Sequence, residues 1–302
     1  GCSREALLET PRLIPRDYPY YFSLEGGLFY ELAGGIPHFP LRPRELKHLK
    51  GTQRVYGGAG VGEDGLPDYV ITLQGSFPAG LLRTALKLNR GWERTAPPGR
   101  RGGDYWSYHD PASGELTLEL APFSSRSLYF SSGRMEEVLE ISLRIRADES
   151  PASPPSSPPG DSPAALGRPV LAELEIGDLV ILAERRSLEE GGFLRDLLNQ
   201  TGIEPTAVES LGVVFNRAGP GLLLGFLHLT FQEERQARAF ITTFRLLQRV
   251  PLPPGGEGIF DQSRLLRGRG ERQENRVYLR GLTLTFGEIE KLTEPFFTGG
   301  QS

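Results

Sequence analysis

DESPASPPSSPPGDSPAALGRP, residues 148–169, falls almost at the middle of the 302-residue chain. Pro151, Pro154, Pro155, Pro158, Pro159 and Pro163 remove ladder donors and fix φ, and the serines between them offer nothing to bury. The stretch predicts a flexible linker. It splits the chain into two sides, and each side carries the same kind of pattern.

Working outward, Tyr69-Val70-Ile71-Thr72-Leu73 is a strand-like run, and Leu81, Leu82, Ala85 and Leu86 follow it at helical spacing. Gly225-Phe226-Leu227-His228-Leu229 is a second such run, followed by Ala237, Phe240, Ile241, Phe244 and Leu247 at the same period. Leu73 and Leu229 stand 156 positions apart, as do Ser127-Leu128-Tyr129-Phe130 and Thr283-Leu284-Thr285-Phe286. Leu28 to Ala33 resembles Leu179 to Glu184 near the start of each side. Repetition of this kind predicts an internal duplication. Ser187 with Glu190, and Thr285 with Glu288, have capping-box spacing before apolar runs. Gly202 is placed to stop the first of these helices; Pro43, Leu46 and Leu49 mark a shorter counterpart on the first side.

Leu116, Leu118 and Leu120 alternate with Glu115, Thr117 and Glu119, and Leu282, Leu284 and Phe286 alternate with Thr283 and Thr285. A period of two buries one face of a sheet and leaves the other wet or lightly covered. The predicted fold is therefore α+β: a duplicated ferredoxin-like unit, with antiparallel sheets, helices on one face and the halves related by a pseudo-two-fold. The expected organisation is an N-terminal tether over 1–19, one repeat over 20–147, the linker over 148–169 and a second repeat over 170–302.

Composition narrows the function. With 34 basic and 38 acidic residues the formal net charge is −4, which gives no field for nucleic acid. The longest apolar patch, Leu222 to Leu227, is too short to cross a bilayer. The four histidines, His38, His48, His109 and His228, include no i,i+4 pair, so no metal site is expected and no cofactor is implied. No G-x-S-x-G elbow accompanies the serines, and the scattered carboxylates define no facing pair. Gly57 to Gly62 lacks the Lys-Ser/Thr ending of a phosphate loop and reads as a mobile hairpin loop closed by Asp64-Gly65. The chain is expected not to be an enzyme.

Two patches remain as a candidate binding surface. Trp106, Tyr108 and His109 form a polar aromatic cluster ahead of the turn at Asp110-Pro111. Arg267, Arg269 and Arg272 belong to a basic stretch that suits anionic lipid headgroups or a cell-wall polymer, unless it is solvated loop charge. His228 is expected to point outward from its strand.

Cys2 is the chain's only cysteine, so it has no internal disulfide partner. Gly1-Cys2 resembles the end of the lipobox of bacterial envelope lipoproteins, in which the cysteine carries lipid. The resemblance covers two residues and lacks the upstream leucine-rich part. It implies a lipid on Cys2, a membrane as partner and a lipid-anchored location in the bacterial cell envelope, outside the cytoplasm. The expected function is then a non-enzymatic binding or scaffold module on that membrane, with an envelope protein, cell-wall polymer or anionic lipid as further partner. A carrier of a small apolar ligand between the halves, drawing on Tyr18, Tyr20, Tyr21, Phe22 and Phe29, is an alternative. A hydrolase assembled from distant loops is another. An exposed apolar or charged patch would mark the scaffold, and a large apolar pocket the carrier.

Overall fold

The computed structural model of the chain describes residues 10–35, 49–62, 65–88, 91–96, 104–109, 116–148, 168–185, 204–249 and 267–289. Cys2, most of the expected linker, Pro43, Leu46, the Ser187–Glu190 pair and Gly202 lie outside the described residues. The fold is α+β, mostly antiparallel sheet with a few helices. It divides into two compact units. The first comprises Gly1–Tyr18, Ser23–Glu31 and Leu41–Glu173, the second Pro19–Phe22, Leu32–Pro40 and Leu174–Ser302.

The chain opens with a 3-10 turn, Thr10–Leu13, then strand β1 (Tyr20–Glu25) and helix α1 (Gly26–Gly35). Leu28 to Ala33 therefore belongs to a helix, not to a counterpart of Leu179–Glu184. Glu25 explains the switch: its carboxylate accepts from Leu28 N at 2.8 Å and satisfies a free donor in the first turn. Gly26 is required at the corner, because a Cβ there would lie 2.0 Å from Thr52 O.

In the first unit β2 (Thr52–Val61), β3 (Pro67–Gly75), β4 (Trp92–Thr95), β5 (Tyr105–His109), β6 (Leu116–Ser124) and β7 (Ser127–Ser131) lie in the order β2-β3-β7-β6-β5-β4. Gly57–Val61, expected as loop, is part of β2: Gly57 pairs with Ile71 and Gly58 with Val70. The turn comes later, where Gly65 has φ 77 and its N–H donates to Gly62 O at 2.9 Å. Helix α2 (Ala79–Leu88) follows β3, and helix α3 (Met135–Asp148) follows β7.

These two helices lie on opposite faces of the sheet. Leu86 of α2 packs with Trp106, Leu120 and Phe130. The first turn of α3 is bound from the other side, where Glu119 accepts from Met135 N at 2.8 Å and from Ser131 Oγ at 2.6 Å. Leu120 and Glu119 are neighbours on one strand, so they point to opposite faces. The expected arrangement, helices on one face, fails here because Leu128 and Tyr129 are both fully buried, so both faces need cover. Glu119 was expected on the outward face, wet or lightly covered. Instead its carboxylate is buried at a helix N-terminus, where negative charge is favoured.

In the second unit helix α4 (Arg168–Leu174), which reaches it at Leu174, leads into β8 (Leu179–Glu184), β9 (Val208–Gly219) and β10 (Leu222–Phe231). Helix α5 (Glu234–Leu247), β11 (Arg269–Gln273) and β12 (Arg276–Thr285) complete it. The sheet order is β11-β12-β10-β9-β8. A split β-α-β crossover, the signature of a ferredoxin-like unit, has a third strand between its first two. Here β8 pairs directly with β9, Leu182 opposite Gly212, so the order is not ferredoxin-like.

The register ties the leucines of the two sides to like surroundings. Leu73 lies between Val55 and Leu128. Leu229 lies between Leu211 and Val277. Ser127 pairs with Gln74 at one end of β7, and Arg276 pairs with Thr230 at one end of β12. By register, then, the counterpart of Ser127–Phe130 is Arg276–Leu279, not Thr283–Phe286. Beyond Arg280, β12 continues past a bulge between Gly225 and Phe226, with Gly281 at φ 88, and places Leu282 and Leu284 in the core. Thr285 and Glu288 then form the anticipated capping box, with Thr285 N donating to Glu288 Oε2 at 2.7 Å and Glu288 N to Thr285 Oγ1 at 3.3 Å.

Candidate functional site: an uncovered helix face

Helix α2 starts from a fixed corner. Phe77 is buried, Phe77 N donates to Ser125 O at 2.7 Å, and Leu82 N donates to Pro78 O at 3.0 Å. Its sequence, AGLLRTALKL, places Leu88, Leu81, Ala85, Leu82, Leu86 and Ala79 on a continuous apolar arc of about 180° at 3.6 residues per turn. The sheet covers only one side of that arc. Leu86 is 7% exposed, whereas Leu81 is 71% and Leu88 79% exposed, and Ala85 is exposed between them. Arg83 holds the polar edge, donating to Pro122 O at 3.0 Å. The result is an outward stripe at i, i+4 and i+7 that contributes little to folding. Burying two leucines against a partner would contribute roughly 3–6 kcal/mol before association costs.

The other expected surface residues are placed differently. Trp106 is in the core beside Leu86 and Leu120, so no binding surface includes it. Tyr108 is half-buried against Trp92, with ring centroids 5.4 Å apart, and Gly91 makes room for its ring. His109 is half-buried at the end of β5, opposite Leu116. The three are thus not one exposed cluster. Arg267 is exposed. Arg269 reaches Glu271 at 3.3 Å, and Arg280 reaches the same carboxylate at 3.1 Å. Arg272 meets Glu234 of α5 at 2.8 Å and donates to Glu274 O at 2.8 Å. Hydrogen bonds from Arg272 and Arg238 lower the pKa of the Glu234 carboxyl. Much of the basic stretch is therefore answered by glutamate within the unit.

His228 lies on the face away from α5 but is buried, which the outward expectation did not anticipate. Gly212 opposite it supplies the space, since a Cβ there would lie 1.7 Å from Nε2. Its ring stacks on Tyr278 with centroids 6.2 Å apart, and Nε2 has no partner among the described residues. Burial, helped by the charge of Arg276, lowers its pKa from 6.5 to about 4. The imidazole is a neutral packing element. Among the described residues no group of three or more His, Cys, Asp or Glu is placed to hold a metal ion. No helix among them is long and apolar enough to cross a membrane.

No protein-family model matches the chain, and no curated protein matches it. Solved structures do. Crystal form I of TP0453 superposes with a TM-score of 0.56 over 95% of this chain and 97% of that chain, at 10% identity. Crystal form IV gives 0.55 over 95% and 97% at 11% identity, and crystal form III gives 0.52 over 93% and 96% at 12% identity. The likeness spans nearly the whole of both chains and is one of fold.

Proposed function

We propose that this chain is a membrane-anchored envelope lipoprotein acting as a non-enzymatic binding or scaffold module. A lipid on Cys2 holds it to the membrane, and the uncovered face of α2 docks on an envelope protein. The outward stripe Leu81-Ala85-Leu88 carries this reading. Spacing of i, i+4, i+7 is what a helix presents when it lies in a partner's apolar groove. We also read the two units as copies of one α+β module. The like register of Leu73 and Leu229 supports this, with an added hairpin, β4–β5, in the first copy.

Two measurements test the proposal. Labelling with radioactive palmitate should mark the parent chain and not Cys2→Ala; equal labelling would end the anchor. A photoreactive residue at position 88 should trap a discrete envelope protein that the same probe at position 87, on the polar side, does not. Equal capture at 87 and 88 would remove α2 as the docking face.

A further inference from the structure

The segment from Thr10 to Tyr18 precedes the first strand, and lead-ins of this kind are commonly loose. Here it is packed onto the first unit, with the 3-10 turn Thr10–Leu13 against β3 and α3. Ile14 and Tyr18 are buried. They sit in a trough that exists because β2 has glycine at position 58: a Cβ there would lie 2.3 Å from Tyr18 Cδ2 and 3.0 Å from Ile14 Cγ2. The trough is closed by one arginine. Arg134, just before α3, donates from Nη2 to Asp17 at 2.7 Å, from Nη1 to Asp68 at 3.3 Å and from Nε to Glu137 at 2.6 Å. Its guanidinium carbon lies 4.8 Å from the Tyr18 ring centroid. Tyr18 Oη donates to Asp68 at 3.2 Å, and Ser132 Oγ donates to the same oxygen at 3.1 Å. Strand β3, helix α3 and the lead-in thus meet on one planar cation. A half-buried arginine holding several carboxylates is a strong fixing point, and losing it leaves those carboxylates crowded without its counter-charge.

We infer that Thr10–Tyr18 is a docked strap, and that any tether attached at Cys2 pivots near residue 10 rather than at the start of β1. This rests on the anchored reading above. It sets a reach. However residues 3–9 are arranged, they span no more than about 25 Å, so the first unit stays within that distance of the surface bearing Cys2. Releasing the strap would add about 30 Å.

The strap is tested without native lipid. In a Cys2→Ser background, a nitroxide on Arg16→Cys, an exposed position, should give an immobilised line shape. Arg134→Gln should convert it to a mobile one. Tyr18→Ala is a second release variant that leaves the body of the unit intact. A line equally mobile in all three would overturn the strap. The reach is tested by coupling the parent chain through Cys2 to a maleimide lipid in a supported bilayer. By neutron reflectometry the protein layer should lie within about 25 Å, and Arg134→Gln or Tyr18→Ala should move it outward by up to about 30 Å. An unmoved layer with a mobile nitroxide would overturn the pivot. Failure of palmitate labelling with these results intact would remove the lipid reading and leave the strap standing.

Discussion

Helices α2 and α5 each follow the strand that carries a matched leucine, Leu73 or Leu229, yet they end up with different faces dry. Helix α5 buries Ala237, Phe240, Ile241 and Phe244, and the Phe240 and Phe231 ring centroids lie 5.6 Å apart where the helix meets the sheet. Its N-terminus is closed by a capping box between Glu233 and Gln236, and Arg272 clamps it to β11. Outward it shows Arg238, Thr242, Thr243, Arg245 and the apolar Leu246. Helix α2 buries Leu86 and turns Leu81 and Leu88 outward. One helix is finished by its own unit. The other retains apolar surface that folding does not use, and the proposed function rests on that difference.

The contrast can be broken first at α5. Phe244→Ala removes a fully buried ring and should cost about 4 kcal/mol, read by urea unfolding of the second unit. The strongest sharpening by pH concerns His228. Its folded pKa of about 4 lies below the unfolded 6.5, so the unfolded chain binds the extra proton. Stability should therefore fall as pH drops through 6.5 and level off below about 4, a loss of roughly 3 kcal/mol. The groups facing it are Arg276, Tyr278 and Arg280 on β12 and Ser210, Gly212 and Val214 on β9. His228→Phe should abolish that slope. Gly212→Ala drives a methyl into the imidazole and should cost about 1–3 kcal/mol at neutral pH, partly restored by pairing it with His228→Ala.

The legible parts of the sequence were those where one period served one surface. Phe240, Ile241 and Phe244 announce α5 because its single apolar face is all core. Leu282 and Leu284 alternate with exposed threonines, and Thr285–Glu288 caps as its spacing predicts. The misread parts served two surfaces at once. Leu81, Leu82, Ala85 and Leu86 give helical spacing, but an apolar arc twice as wide as the sheet needs does not say which half is buried. The extension to Leu88 was the available signal. Glu119 keeps its strand's alternation but is buried, because a helix end elsewhere in the chain uses its carboxylate. Gly57–Gly62 resembles a loop when only turn chemistry is considered. Its Gly58 instead clears space for Ile14 and Tyr18, and that contact is invisible in local pattern. Arg134 and Glu137 at i, i+3 hinted at an ion pair but not at Asp17 and Asp68.

The account stands on Leu81 and Leu88 doing no work in folding. Equilibrium urea unfolding of Leu81→Ser/Leu88→Ser measures this directly beside Leu86→Ala on the same helix. The double variant should unfold within about 0.5 kcal/mol of the parent, while Leu86→Ala loses about 2–3 kcal/mol. A double variant as unstable as Leu86→Ala would mean that the stripe belongs to the core and that α2 offers no docking face.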